Sequence, residues 1–174
     1  MPEVERQGRG WRGGLFLIIA AFVVAIDQIT KQWVRSHISP HPPEVIPIVG
    51  CLSLTHVWNT GSAFGLFANQ AFLLTLVAIV GLVTILLFYR YLSRISLLSS
   101  FALGLVFGGA VGNLIDRLRL GHVTDFIDVR LWRDFHWPAF NVADSAITVG
   151  SIVLAIFIFL AFRKGDGSSS GARN

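Results

Sequence analysis

Four apolar stretches of membrane-crossing length fix the class of fold open to this chain. They run from Leu15 to Trp33, Ala71 to Tyr89, Leu97 to Arg117 and Val142 to Phe162. Each is close to the ~20 residues a helix needs to cross hydrocarbon. The composition agrees, with 53% hydrophobic and only 14% charged residues in a chain of 174, which excludes disorder. The expected fold is an all-α membrane protein of four transmembrane helices with a small extracytoplasmic β-sheet. One integral membrane domain, 1–162, is expected, followed by a flexible cytoplasmic tail, 163–174. Arg6, Arg9 and Arg12 before a short apolar run also resemble a signal peptide. The regularly spaced Asp27, Thr30 and Lys31 and the lack of a clear A-x-A site favour a retained helix.

Orientation follows from the connections. Arg6, Arg9 and Arg12, then Arg90 and Arg94, then Arg163 and Lys164 lie in short, densely basic segments. By the positive-inside rule these are cytoplasmic. The longer connections, 34–70 and 118–141, then face outward. The net charge of +4 is spread over short connections rather than gathered into a stripe, so no nucleic-acid partner is expected. In the first outer connection the run Cys51 to Val57 alternates like a strand, and Asn59-Thr60-Gly61 supplies turn chemistry. The expected sheet lies on the outer membrane surface, with Trp58, Trp132 and Trp137 suited to the interfacial belt. Cys51, the single cysteine, reads as a small buried hydrophobe.

Carboxylates near hydrocarbon are costly and mark functional sites. Asp27 lies late in the first span, Asp116 late in the third and Asp144 at the start of the fourth. In an up-down bundle these three ends share one side of the membrane. Asp27 and Lys31, one helical turn apart, can pair. Asn113, Asp116 and Arg117 fall near one helical face, either as a buried Asp–Arg brace or as substrate contacts. Gly104, Gly108 and Gly112 share a face that lets another helix approach closely. Asp144, Thr148 and Ser151 form a polar stripe expected to face inward, and Asn141 is a natural helix cap beside Asp144. In the second outer connection, Val123, Phe126 and Ile127 should press Asp125 onto the membrane surface near the start of span four.

Two carboxylates brought together share a proton, which supplies a base and an acid at one pH. Such a pair can activate water against an amide carbonyl and protonate the leaving amine. Spacing alone leaves open which two aspartates meet. The five histidines are scattered, and no metal spacing, G-x-S-x-G elbow or P-loop is present. A proton-coupled transporter is the rival from another class, although four spans are few and no inverted repeat is visible. A non-catalytic assembly protein is a third reading.

Five pieces of sequence narrow the choice. They are Asp27-Gln28-x-Thr30-Lys31, Asn59-x-Gly61-x-Ala63-Phe64, Gly108-Gly109-Ala110-x-Gly112-Asn113-x-x-Asp116-Arg117, Val123-x-Asp125-Phe126-x-Asp128, and Phe140-Asn141-x-Ala143-Asp144. In this order they resemble the lipoprotein signal peptidase (signal peptidase II) family of bacterial membrane aspartic peptidases. The resemblance covers all but the N-terminal arm, span two and the tail. It implies a catalytic dyad of Asp125 and Asp144, with Asp27, Asn59, Asn113, Asp116, Arg117 and Asn141 binding substrate or supporting the dyad. It implies a substrate, a diacylglyceryl-modified prolipoprotein cut just before its lipidated cysteine. It also implies contact with membrane lipid, inhibition by globomycin, no metal or other cofactor, and a place in the bacterial inner membrane with the site near the outer face.

Overall fold

The computed structural model describes residues 3–61, 71–92, 96–133 and 135–170. These form four helices and four strands: α1 (Glu3–His37), β1 (Val45–Val49), β2 (Leu52–Asn59), α2 (Ala71–Leu92), α3 (Leu97–Leu120), β3 (Val123–Trp132), β4 (Phe135–Phe140) and α4 (Val142–Ser170). Ala63 and Phe64 of the second motif, and Arg94 of the orientation argument, lie outside the described residues. Four helices are long and apolar enough to cross a membrane, over Gly14–His37, Phe72–Tyr89, Leu97–Leu120 and Val142–Ala161. These match the expected spans closely. The helices themselves run further: α1 starts at Glu3, and α4 is helical to Ser170, through most of the stretch expected as a flexible tail. No proline follows Pro2 in α1 or interrupts α4, so nothing breaks either hydrogen-bond ladder.

Helix α3 is the centre of the bundle and packs on the other three. Its start is capped by Ser96, whose side chain accepts from the Leu98 N–H, and its end by Gly121 in the left-handed region at φ 76. The expected glycine face is real, and its partner is α1. A Cβ on Gly104 would lie 3.0 Å from the Phe16 carbonyl oxygen, and one on Gly108 2.7 Å from that of Ala20. At Gly112 it would meet the Asp27 carboxylate. A second close approach joins α3 to α4, where Gly109 faces Ala143 and Ile147, and Gly150 faces Ala102. Without a hydrophobic drive between helices in lipid, such backbone-close packing supplies the association.

The strands form one antiparallel sheet in the order β1-β2-β3-β4, two from each of the long connections 34–70 and 118–141. β-branched and aromatic residues favour these segments, and Pro47 and Pro138 sit in the two edge strands, where a missing N–H is tolerated. Cys51, expected to be buried, is exposed; it occupies the β1–β2 turn beside Gly50, which is at φ 56. A small apolar core of Val34, Ile38 and Phe126, with Ile46, Leu54, Ile127 and Val142 against it, seats the sheet on the end of α1. Burying side chains of this kind contributes about 1.5–3 kcal/mol each. The sheet is therefore held at the end of the bundle that carries the acidic residues.

The inward stripe expected on α4 is met in part: Asp144 and Thr148 border the cavity at the acidic end of the bundle, whereas Ser151 does not. Thr148 and Ser151 are exposed, and the buried face carries Ala143, Ala146 and Gly150. Small residues win that face because α4 must approach the α3 backbone. The Thr148 hydroxyl is satisfied locally by the Asp144 carbonyl at 2.8 Å.

Candidate active site

The polar centre begins on α1, where Asp27, Lys31 and Arg35 repeat one turn apart. Asp27 and Lys31 are fully buried and pair at 2.9 Å, as the spacing suggested. Lys31 Nζ also lies 3.3 Å from Asp116 Oδ2 and donates to Asn113 Oδ1 at 2.9 Å. Arg35 Nη1 stands 3.5 Å from Asp116 Oδ1 and donates to Thr124 Oγ1 at 3.1 Å. Asp116 is thus braced by cations of α1, not by its neighbour Arg117, which instead lines a cavity. The i+1 position projects too far around α3 to meet the same partner. Two acids and two bases balance here, which is what allows such charges to be buried.

Asp27 and Asp116 also hold backbone. The Ala143 N–H donates to Asp27 Oδ1 at 3.0 Å, joining the first helix to the start of the last. The Thr124 N–H donates to Asp116 Oδ2 at 3.0 Å, fixing β3 one residue before Asp125. Gln28 Nε2 lies within reach of Asp27 Oδ2, Asp116 Oδ1 and the Gly112 carbonyl. Gln28, Lys31, Arg35 and Thr124 were not foreseen as site residues. The turn-by-turn repeat of Asp27, Lys31 and Arg35 was the signal for two of them.

Asn141 and Asp144 close a reciprocal cap on α4. The Asp144 N–H donates to Asn141 Oδ1 at 2.9 Å, and the Asn141 N–H donates to Asp144 Oδ2 at 3.2 Å. Asn141 Nδ2 meanwhile donates to Asp125 Oδ1 at 2.7 Å. Asn59, at the end of β2, donates to Asp125 Oδ2 at 2.8 Å, and Asn113 Nδ2 donates to Asp144 Oδ1 at 2.8 Å. Each oxygen of both carboxylates therefore receives one amide N–H. Asn59 reaches Asp125 because β2 and β3 pair Asn59 with Val123 and Val57 with Asp125, past a bulge between Leu54 and Val57.

Asp125 is 1% exposed. Its burial, reinforced by the charge of Asp144, raises its pKa from the ordinary 3.8 to about 7. Its bonds from Asn59 and Asn141 oppose the rise without cancelling it. Both carboxylates border a cavity of about 800 Å³, whose walls include Asn113, Arg117, Trp137, Phe140 and Ile147. A volume of that order holds a peptide segment of a few residues. Among the described residues, no three His, Cys, Asp or Glu are grouped to ligate a metal. Asp125 and Asp144 are thus brought together at the cavity, with Asn59, Asn113 and Asn141 bonded to them. Asp27 and Asp116 stand behind, and Asp128 is bonded away to Ser53 and His136.

Residues 19–160 match the family described as Signal peptidase (SPase) II. The lipoprotein signal peptidase of Moorella thermoacetica is 45% identical over 140 residues, spanning 80% of this chain and 89% of that protein. The one from Pseudomonas paraeruginosa is 39% identical over 173 residues, covering 97% and 99%. Two solved structures of bacterial membrane enzymes share the fold. One superposes with TM-score 0.77 at 31% identity over 84% of this chain and 88% of its own. The other gives 0.73 at 33% identity over 83% and 92%. A family match across all four spans, and relatives aligned nearly end to end, lead to one conclusion: the chain belongs to the signal peptidase II family and is a multi-pass membrane peptidase.

Proposed function

We propose that this peptidase removes the signal peptide from diacylglyceryl-modified bacterial prolipoproteins, cutting before the lipidated cysteine with Asp125 and Asp144 as an aspartic dyad. The observation that carries the reading is Asn141, which donates its backbone N–H to Asp144 and its side-chain N–H to Asp125 and so ties the two acids into one unit. The family match and the relatives' names support the substrate class.

With its pKa near 7, Asp125 is protonated in about half of the molecules at neutral pH, and these are the reactive form. Asp144 takes a proton from water, and the resulting hydroxide adds to the carbonyl carbon of the scissile bond. Asp125 gives its proton to the carbonyl oxygen, leaving a neutral gem-diol. On collapse the C–N bond breaks, the amine leaves with the proton held by Asp144, and Asp125 recovers one from a gem-diol hydroxyl. One water is consumed and both acids return to their starting states. Arg117 and Asn113, on the cavity wall, hold the substrate backbone, while Asp27 and Asp116 keep the dyad's supports in place. Globomycin-type cyclic peptides compete for the same cavity.

The basic segments around Arg6–Arg12, Arg90–Arg94 and Arg163–Lys164 support cytoplasmic termini. The sheet and dyad then lie at the outer face of the cytoplasmic membrane, where the scissile bond of a lipid-held substrate resides. The test is cleavage of a diacylglyceryl-modified prolipoprotein by the purified protein in lipid, beside Asp125→Asn and Asp144→Asn. Each folded variant should lose at least about 10³-fold in kcat. Parental activity in either one refutes the dyad.

A further inference from the structure

Lys31 touches neither the cavity nor either dyad carboxylate, yet it is joined to Asp144 through Asn113 and to the strand of Asp125 through Asp116 and Thr124. Its ammonium donates to Asn113 Oδ1 at 2.9 Å, and the same carboxamide donates its N–H to Asp144 Oδ1 at 2.8 Å. A carboxamide has one acceptor end and one donor end. With Lys31 on the oxygen, the NH2 must face Asp144. Turned over, Asn113 would present its NH2 to an ammonium and its oxygen to a carboxylate, both repulsive. On the other side Lys31 lies 3.3 Å from Asp116 Oδ2, the oxygen that accepts the Thr124 N–H immediately before Asp125.

We infer that Lys31 is a positioning residue for the reaction: it sets the sense of the Asn113 carboxamide toward Asp144 and tethers, through Asp116 and Thr124, the strand that carries Asp125. This deepens the aspartic reading above and rests on it. Neutralising the acids of α1 and α3 is only part of what Lys31 does, since Arg35 also faces Asp116. The donor to Asn113 is its distinct contribution. Asn141 Nδ2 also reaches Asn113 Oδ1, at a longer 3.2 Å, but that group already gives its shorter bond to Asp125.

Removing the lysine alone leaves a buried acid unpaired and endangers folding. The test therefore uses charge-balanced pairs, D27N/K31M and D27N/K31Q. Both remove one acid with one base, and Asn at position 27 keeps an oxygen for the Ala143 N–H. Only the second retains a polar N–H at position 31. Folding is checked by thermal unfolding, and kcat and KM are read on a diacylglyceryl-modified prolipoprotein in lipid. D27N/K31M should fold, lose about 10–100-fold in kcat as supporting-shell changes do, and keep KM within about two-fold of the parent. D27N/K31Q should recover most of that loss. Equal kcat in the two folded pairs, whether parental or reduced, overturns the inference. Asp144→Asn is run alongside: if it stays active the aspartic reading itself fails, whereas an inactive Asp144→Asn with indistinguishable pairs discards only the role of Lys31.

Discussion

Asp125→Asn should make the protein more stable above neutral pH while abolishing its activity. Burial lifts Asp125 from 3.8 to about 7, and each unit is worth about 1.4 kcal/mol. Keeping Asp125 charged in the folded state thus costs about 4 kcal/mol relative to its neutral form. The folded state holds this proton more tightly than the unfolded chain does. Stability contributed by the proton is accordingly complete below about pH 4 and lost as pH rises through about 7. Near pH 5 the cost is about 2 kcal/mol, and near pH 8 it is the full 4 or so. Asparagine carries no such cost at any pH. It must, however, turn an NH2 toward Asn59 or Asn141, both of which already donate, at about 1–3 kcal/mol. The variant should be about level with the parent near pH 5 and more stable by about 1–3 kcal/mol near pH 8. The assay is thermal unfolding of both proteins in the same detergent across that range. At roughly 2–4 °C per kcal/mol, the gap in Tm should widen by about 5–10 °C from acid to alkaline pH. A gap that does not change with pH refutes the assignment of a buried, proton-holding Asp125.

Two further expectations follow from neighbouring geometry. Gly109→Ala should cost about 1–3 kcal/mol and lower kcat by about 10²-fold, because its Cβ falls on the Ala143 carbonyl and within 2.8 Å of Ile147 Cγ1. Gly81→Ala, with nothing within 4 Å, should do neither; matching effects at the two sites in unfolding and turnover assays would refute the packing argument. Asn59→Ala removes a bond that favours the charged form of Asp125, so the alkaline limb of kcat/KM against pH should move upward while the maximal rate falls. An unmoved limb would show that Asp125 is not the acid that limits turnover there.

Local rules carried much of the fold. Span length identified all four helices, i,i+4 spacing identified the Asp27–Lys31 pair, and Asn141 was legible as a cap three residues before Asp144. The meeting of Asp125 with Asp144 was not legible from spacing. It depends on the β2–β3 register and its bulge, and on Asn141 bridging a strand to a helix, which are long-range choices. The family resemblance named that pair where the residues alone left several open. For Arg117 the sequence left open a brace with Asp116 or a place at the substrate; Arg35, across the helix interface, faces Asp116, and Arg117 borders the cavity. Ser151 misled because polarity suggested an inward position, while the backbone approach at Gly109 and Gly150 required alanine and glycine on the packed face; Thr148 does border the cavity. Cys51 followed its turn rather than its side chain.

The bond from the Ala143 N–H to Asp27 joins residues 116 positions apart, and its consequence concerns biogenesis. Asp125 and Asp144 come from the last third of the chain, but their supports hang on the first helix. A ribosome-bound chain that has inserted α1 to α3 lacks Asp144 and the cap that aims Asn141. On the proposed mechanism, no partial site can then act on passing substrates, and the pair of acids is completed only when the start of α4 bonds to α1.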